Sequence, residues 1–114
     1  MSKQKLLFIC TANVARSRTA EDMLRNSTQY EVRSAGLKQY QSTGQLVTQE
    51  LLDWADTIFV MDEAHDHHLT LLRGKFNIKD KKVYILWIND IYPRGDKVLI
   101  ETLKTKLACF GIKT

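Results

Sequence analysis

Cysteine is scarce in this chain of 114 residues: only Cys10 and Cys109 are present, far apart. Two thiols so separated exclude a disulfide framework and a multi-cysteine zinc pattern. Long apolar runs are missing as well. Nothing approaches the roughly eighteen consecutive apolar residues of a membrane span, and Met1-Ser2-Lys3-Gln4-Lys5 leads directly into an apolar strand without the pattern of a signal peptide. A cytoplasmic protein with no membrane partner is expected, in a reducing compartment that suits a reactive thiol. Acidic residues are the minority charge, 13 against 17 basic, so the net charge of +4 favours anionic ligands. No long basic run interleaved with aromatics is found, and nucleic acid is therefore not an expected partner. Internal repeats and low-complexity tracts are also lacking. What remains, 44% hydrophobic and 26% charged residues, is the composition of an ordinary folded protein. The length suits one domain over 1–114.

The apolar residues that are there alternate between two periods. Leu6-Leu7-Phe8-Ile9 is a continuous apolar run, the pattern of a parallel strand covered on both faces. Further strands are expected over 30–34, 57–61 and 82–87, and helices over 16–26, 43–54, 63–73 and 96–110. Leu99, Leu103 and Leu107 give the last helix its apolar face, and Trp54 and Trp87 read as core residues at element ends. Such alternation implies a parallel sheet with helices on both faces, an α/β fold whose ligands bind at the carboxyl ends of the strands.

At the end of the first strand stands Cys10-Thr11-Ala12-Asn13-Val14-Ala15-Arg16-Ser17. A loop of backbone N–H groups feeding a helix N-terminus stabilises negative charge, first on a thiolate and then on a bound tetrahedral oxyanion. Arg16 offers a planar fork of donors matched to two phosphate oxygens, and Ser17 can donate a hydrogen bond to the sulfur. Asn13 suits a left-handed position that ties the loop together. A cysteine after an apolar strand is also the pattern of a small buried hydrophobe, and Arg16 that of a solvated helix residue. The order strand, loop, helix favours the phosphate site.

Residues 7–17 resemble the phosphate-binding loop of the low-molecular-weight protein tyrosine phosphatases, with Cys, five residues, Arg and Ser after the first strand. Val32-Arg33-Ser34-Ala35-Gly36-Leu37 and Ala55-Asp56-Thr57-Ile58-Phe59-Val60-Met61-Asp62 are similar to that family's second and third strands. The resemblance implies a flavodoxin-like four-stranded parallel sheet of order 2-1-3-4. It also implies a metal-free and cofactor-free phosphomonoester hydrolase that passes through a cysteinyl-phosphate. Its partners would be a phosphorylated protein or a small aryl phosphate, with inorganic phosphate as product. Cys10 would be the nucleophile, with Arg16 and the loop 11–17 holding the phosphate.

The family's general acid is an Asp in a loop before the last helix, usually followed by Pro. Here Asp96 has that place, although Lys97 follows it; Asp90, directly after the fourth strand, is the other candidate, and Asp96 also reads as an N-cap. Tyr40 and Tyr92 lie in regions similar to the aromatic walls that select phosphotyrosine. Ala15 replaces the family's second cysteine. Arsenate reduction by related thioredoxin-coupled enzymes needs two redox cysteines after the third strand, and 62–82 holds none; a non-catalytic phosphate or phosphopeptide binder is the other alternative. His65 and His68, with Asp62 and Asp66, have a spacing open to a metal, but the cluster reads first as a solvated or partly packed helix face and no metal is expected.

Overall fold

Apolar runs buried on both faces dictate the middle of a sheet, and the two central strands carry them. The computed structural model of the protein describes residues 3–38 and 44–114. The elements run β1 (Gln4–Cys10), α1 (Arg16–Leu24), β2 (Tyr30–Gly36), α2 (Gln49–Trp54), β3 (Thr57–Val60), α3 (His68–Lys75), β4 (Lys82–Ile85) and α4 (Lys97–Ala108). All four strands are parallel, in the order β2-β1-β3-β4. The expected α/β fold and strand order are therefore those observed.

Successive side chains of a strand point to opposite faces, so β1 and β3 build two cores. Leu6, Phe8, Phe59 and Met61 face Ala20 and Leu24 of α1 and Leu99, Leu103 and Leu107 of α4, with Phe8 and Phe59 stacked at 5.3 Å. On the other side Leu7, Ile9, Ile58 and Val60 meet Leu52 of α2 and Leu72 of α3. Each buried Leu or Phe stabilises the fold by about 2 kcal/mol. Among the described residues no helix is long and apolar enough to cross a membrane.

Three local expectations are corrected. Helix α2 begins at Gln49 because Val47 and Leu46 are drawn into extended pairing with Gly36, after which the Thr48 hydroxyl caps the helix by accepting from the Leu51 amide. Helix α3 begins at His68 rather than 63, because the Asp62 carboxylate accepts the His65 and Asp66 amides and winds 62–67 into a turn. Trp87 is not core. Its positive φ of 57° turns it outward, and it is 53% exposed while Leu86 and Ile88 are buried on either side.

Gly36 pairs with Cys10 across β1 and β2, and the loop that follows Cys10 folds over it. A Cβ at Gly36 would lie 2.7 Å from both Ala12 C and Asn13 N, closer than backbone atoms tolerate. Gly36→Ala is expected to destabilise the fold by about 2 kcal/mol, the cost of an overpacked core, and to lower the thermal midpoint accordingly. An unchanged midpoint would show that the loop yields freely.

Candidate active site

The loop between β1 and α1 is held by hydrogen bonds that its own short polar side chains supply. Asn13 takes the left-handed backbone with φ 55°. Its Nδ2 donates to Ser17 Oγ and to Ser34 Oγ, each at 2.9 Å, and its Oδ1 accepts the Gln45 amide at 3.0 Å. Ser34 in turn donates to Glu21 Oε1. Because Ser17 Oγ already accepts from Asn13, its hydrogen is free to point at Cys10 Sγ, 3.0 Å away. Cys10 is nearly buried, at 3% exposure.

Arg16, the first residue of α1, is buried and held from two sides. Its Nη1 donates to the Ile88 carbonyl at 2.8 Å and its Nη2 meets Asp66 Oδ2 at 2.9 Å. Its Nε lies 3.7 Å from Asp90 Oδ1 and is a buried donor without a hydrogen-bond partner. Leaving such a charged donor unpaired is costly. Arg16, Cys10, Thr11, Ala12, Val14, Ala15 and Asp90 line one cavity of about 400 Å³, which brings the guanidinium residue, the thiol and one carboxylate to the same place. A cavity lined by a guanidinium residue beside a helix N-terminus fits an oxyanion.

Asp66 and His68 were not legible as site residues, yet both touch the loop. His68 Nδ1 accepts the Asp62 amide at 3.0 Å, which leaves the proton on Nε2, and Nε2 donates to Thr11 Oγ1 at 2.9 Å. Burial, reinforced by the positive Arg16, pushes the His68 imidazole down to about 4, against the pull of Asp66, Asp62 and Asp90. Burial also works against ionisation of Asp62, but the amides of Asp66 and His65 outweigh it and hold that carboxyl below its usual range.

The depressed imidazole sets a pH dependence. In the unfolded chain a histidine binds its proton near 6.5, while folded His68 stays neutral until about 4. Stability is thus complete above pH 6.5 and lost progressively as pH falls toward 4, by about 3 kcal/mol from this residue. Urea midpoints measured across that window should fall for the parent and flatten for His68→Gln. A parent midpoint that ignores pH between 6.5 and 4.5 would overturn this account.

The expected acid is not at the cavity. Asp96 caps α4, its Oδ1 accepting the Val98 and Leu99 amides at 2.8 and 3.1 Å, and it is absent from the cavity lining; Asp90 is the carboxylate there. Tyr92 packs partly buried against the core shared by α1 and α4 and does not line the cavity either. Tyr40 lies outside the described residues. Among the described residues no group of three or more His, Cys, Asp or Glu is arranged to hold a metal.

Solved structures share this fold along nearly their whole length. VcLMWPTP-2, a low molecular weight phosphotyrosine phosphatase from Vibrio cholerae O395, is 23% identical, with a TM-score of 0.70 over 95% of this chain and 96% of that one. The low molecular weight protein tyrosine phosphatase from T. tengcongensis is 18% identical, with a TM-score of 0.70 and 96% of each chain covered. The chain has the low-molecular-weight phosphatase fold. In sequence, residues 5–46 match the family model described as low molecular weight phosphotyrosine protein phosphatase, so the resemblance carried by the Cys10 loop holds. DARP, a Drosophila arginine phosphatase, has the fold too, at 20% identity and a TM-score of 0.61 over 91% of this chain and 90% of that one. No curated protein sequence matches the chain.

Proposed function

We propose that the protein is a phosphoric monoester hydrolase that works through a cysteinyl-phosphate. The observation that carries this reading is the single cavity lined by Cys10, Arg16 and Asp90, with Ser17 Oγ 3.0 Å from the Cys10 sulfur. Cys10 Sγ attacks phosphorus, forming the S–P bond as the ester P–O bond breaks. Arg16 and the loop amides hold the equatorial oxygens, and Ser17 stabilises the sulfur as attacking and later as leaving group. Asp90 gives its proton to the departing oxygen. Water then attacks phosphorus, Asp90 takes up its proton, and inorganic phosphate and free Cys10 are released.

Geometry favours Asp90 over Asp96 as the acid, because Asp90 lines the cavity of Cys10 and Arg16 whereas Asp96 does not and its Oδ1 caps α4. Val14, Ala12 and Ala15 give the cavity an apolar wall, and exposed Ile91 follows Asp90 in sequence. Those surfaces favour an aryl ester, phosphotyrosine in a protein or a small aryl phosphate. The test is release of phosphate from an aryl phosphate and a phosphotyrosine peptide, with a phosphoarginine peptide alongside. Turnover of the aryl esters, inhibited by inorganic phosphate, is expected. Phosphate binding without turnover would make the protein a binder, and preference for phosphoarginine would overturn the aryl assignment.

A further inference from the structure

The segment that carries Asp90 has little packing of its own. Asn89, Asp90, Ile91, Pro93, Arg94 and Gly95 are all exposed, and only Tyr92 reaches the core. A loop with so few buried contacts takes its position from its anchors. One end is fixed where the Ile88 amide donates to the Met61 carbonyl, and the other where Asp96 caps α4. Between Asp90 and Asp96 two further attachments both run to α1.

The first attachment is a hydrogen-bond relay. The Gly95 amide donates to Thr19 Oγ1 at 3.0 Å, and that hydroxyl donates to the Ala15 carbonyl at 2.7 Å. Ala15 belongs to the phosphate loop, so one buried hydroxyl joins the two loops directly. The second attachment is an ion pair. Arg94 Nε and Nη2 meet Asp22 Oδ2 and Oδ1, each at 2.8 Å, in the bidentate geometry that fixes orientation best. Asp22 also accepts from Arg25 Nη2 at 2.9 Å. The hydrogen bond from Arg94 is the main influence holding the Asp22 carboxyl below its usual range.

Thr19 and Asp22 are three apart on α1 and so lie on one face of the helix, whose first residue is Arg16. We propose that Thr19 and Asp22 are positioning residues, a two-point mount on α1 that sets the Asp90 loop against the phosphate loop. The proposal rests on the phosphatase reading above and adds what aligns its acid with its nucleophile. An exposed ion pair contributes little to stability; this one acts by placing a carboxyl group where misplacement by about 1 Å is costly to rate.

The test compares kcat/KM for phenyl phosphate, whose departing oxygen needs a proton, with that for a nitrophenyl phosphate, which needs it far less. Thr19→Val and Asp22→Asn should each lower the phenyl phosphate value about tenfold, a part of the full acid contribution, and leave the nitrophenyl value within about twofold. Thr19→Ser keeps the hydroxyl and should keep the parental ratio. Added to Asp90→Asn, neither substitution should cause further loss, since the group they position is already gone. Equal loss on both esters, an unchanged ratio, or full additivity with Asp90→Asn would overturn the mount. Failure of the phosphatase reading is a different result: the parent itself would release no phosphate from either ester.

Discussion

Cys10→Ser is expected to reduce phosphate release from an aryl phosphate to the background of the assay, a fall of at least about ten-thousand-fold, as for loss of a nucleophile elsewhere. Sulfur is replaced by oxygen at a site that is 3% exposed, so the change in volume is small and the fold should persist. The electrostatics that hold the anion also persist, since the Arg16 guanidinium keeps Ile88 and Asp66 as partners and Asn13 still ties the loop. What disappears is an easily ionised nucleophile and a good leaving group for the second step. Acid quenching during turnover should trap a phosphorylated parent and no phosphorylated variant. Inorganic phosphate should still protect the variant from thermal unfolding. Cys109→Ser, at an exposed residue beyond α4, should retain parental turnover. Turnover by Cys10→Ser, or its loss with Cys109→Ser, would remove Cys10 from the mechanism.

The difference between what could be read from the chain and what could not follows the range of the interactions. The strands and the Cys10 loop are legible because their signals are local: apolar runs set the strands, and Cys10, Asn13, Arg16 and Ser17 lie within eight residues. The strand order rests on the family resemblance, since no local signal carries it. Asp66 and His68 are not legible as site residues, because the helical spacing of the sequence continues through 63–73 while the Asp62 carboxylate captures two amides and delays the helix. That delay brings Asp66 to Arg16 and His68 to Thr11, contacts fifty and fifty-seven residues apart in sequence. Trp87 misled for the same reason. Its size says core, and only the positive φ between two inward-facing neighbours says otherwise. Asp96 stands directly before the last helix, where the resemblance puts the family's acid, whereas the approach of Asp90 to Arg16 is tertiary.

Asp90→Asn decides between those two carboxylates. General acid catalysis contributes about a hundredfold to ten-thousand-fold, and kcat/KM covers the steps through departure of the ester oxygen. Asp90→Asn should therefore lower kcat/KM for phenyl phosphate by about a hundredfold or more and that for a nitrophenyl phosphate much less. Asp96→Asn should leave that ratio unchanged. Its cost belongs to the helix: the side chain accepts two α4 amides, and replacing the cap with Ala should destabilise the protein by about 1 kcal/mol. Asn is itself a good cap, so Asp96→Asn separates charge from capping and Asp96→Ala removes both. Asp90 carries no such structural duty, being a 60% exposed side chain that lies 3.7 Å from Arg16 Nε and lines the cavity of the nucleophile. Its substitution should thus change rate without lowering the thermal midpoint. A larger leaving-group effect for Asp96→Asn than for Asp90→Asn would make Asp96 the acid, protonating the ester oxygen from Oδ2 while Oδ1 keeps the two α4 amides.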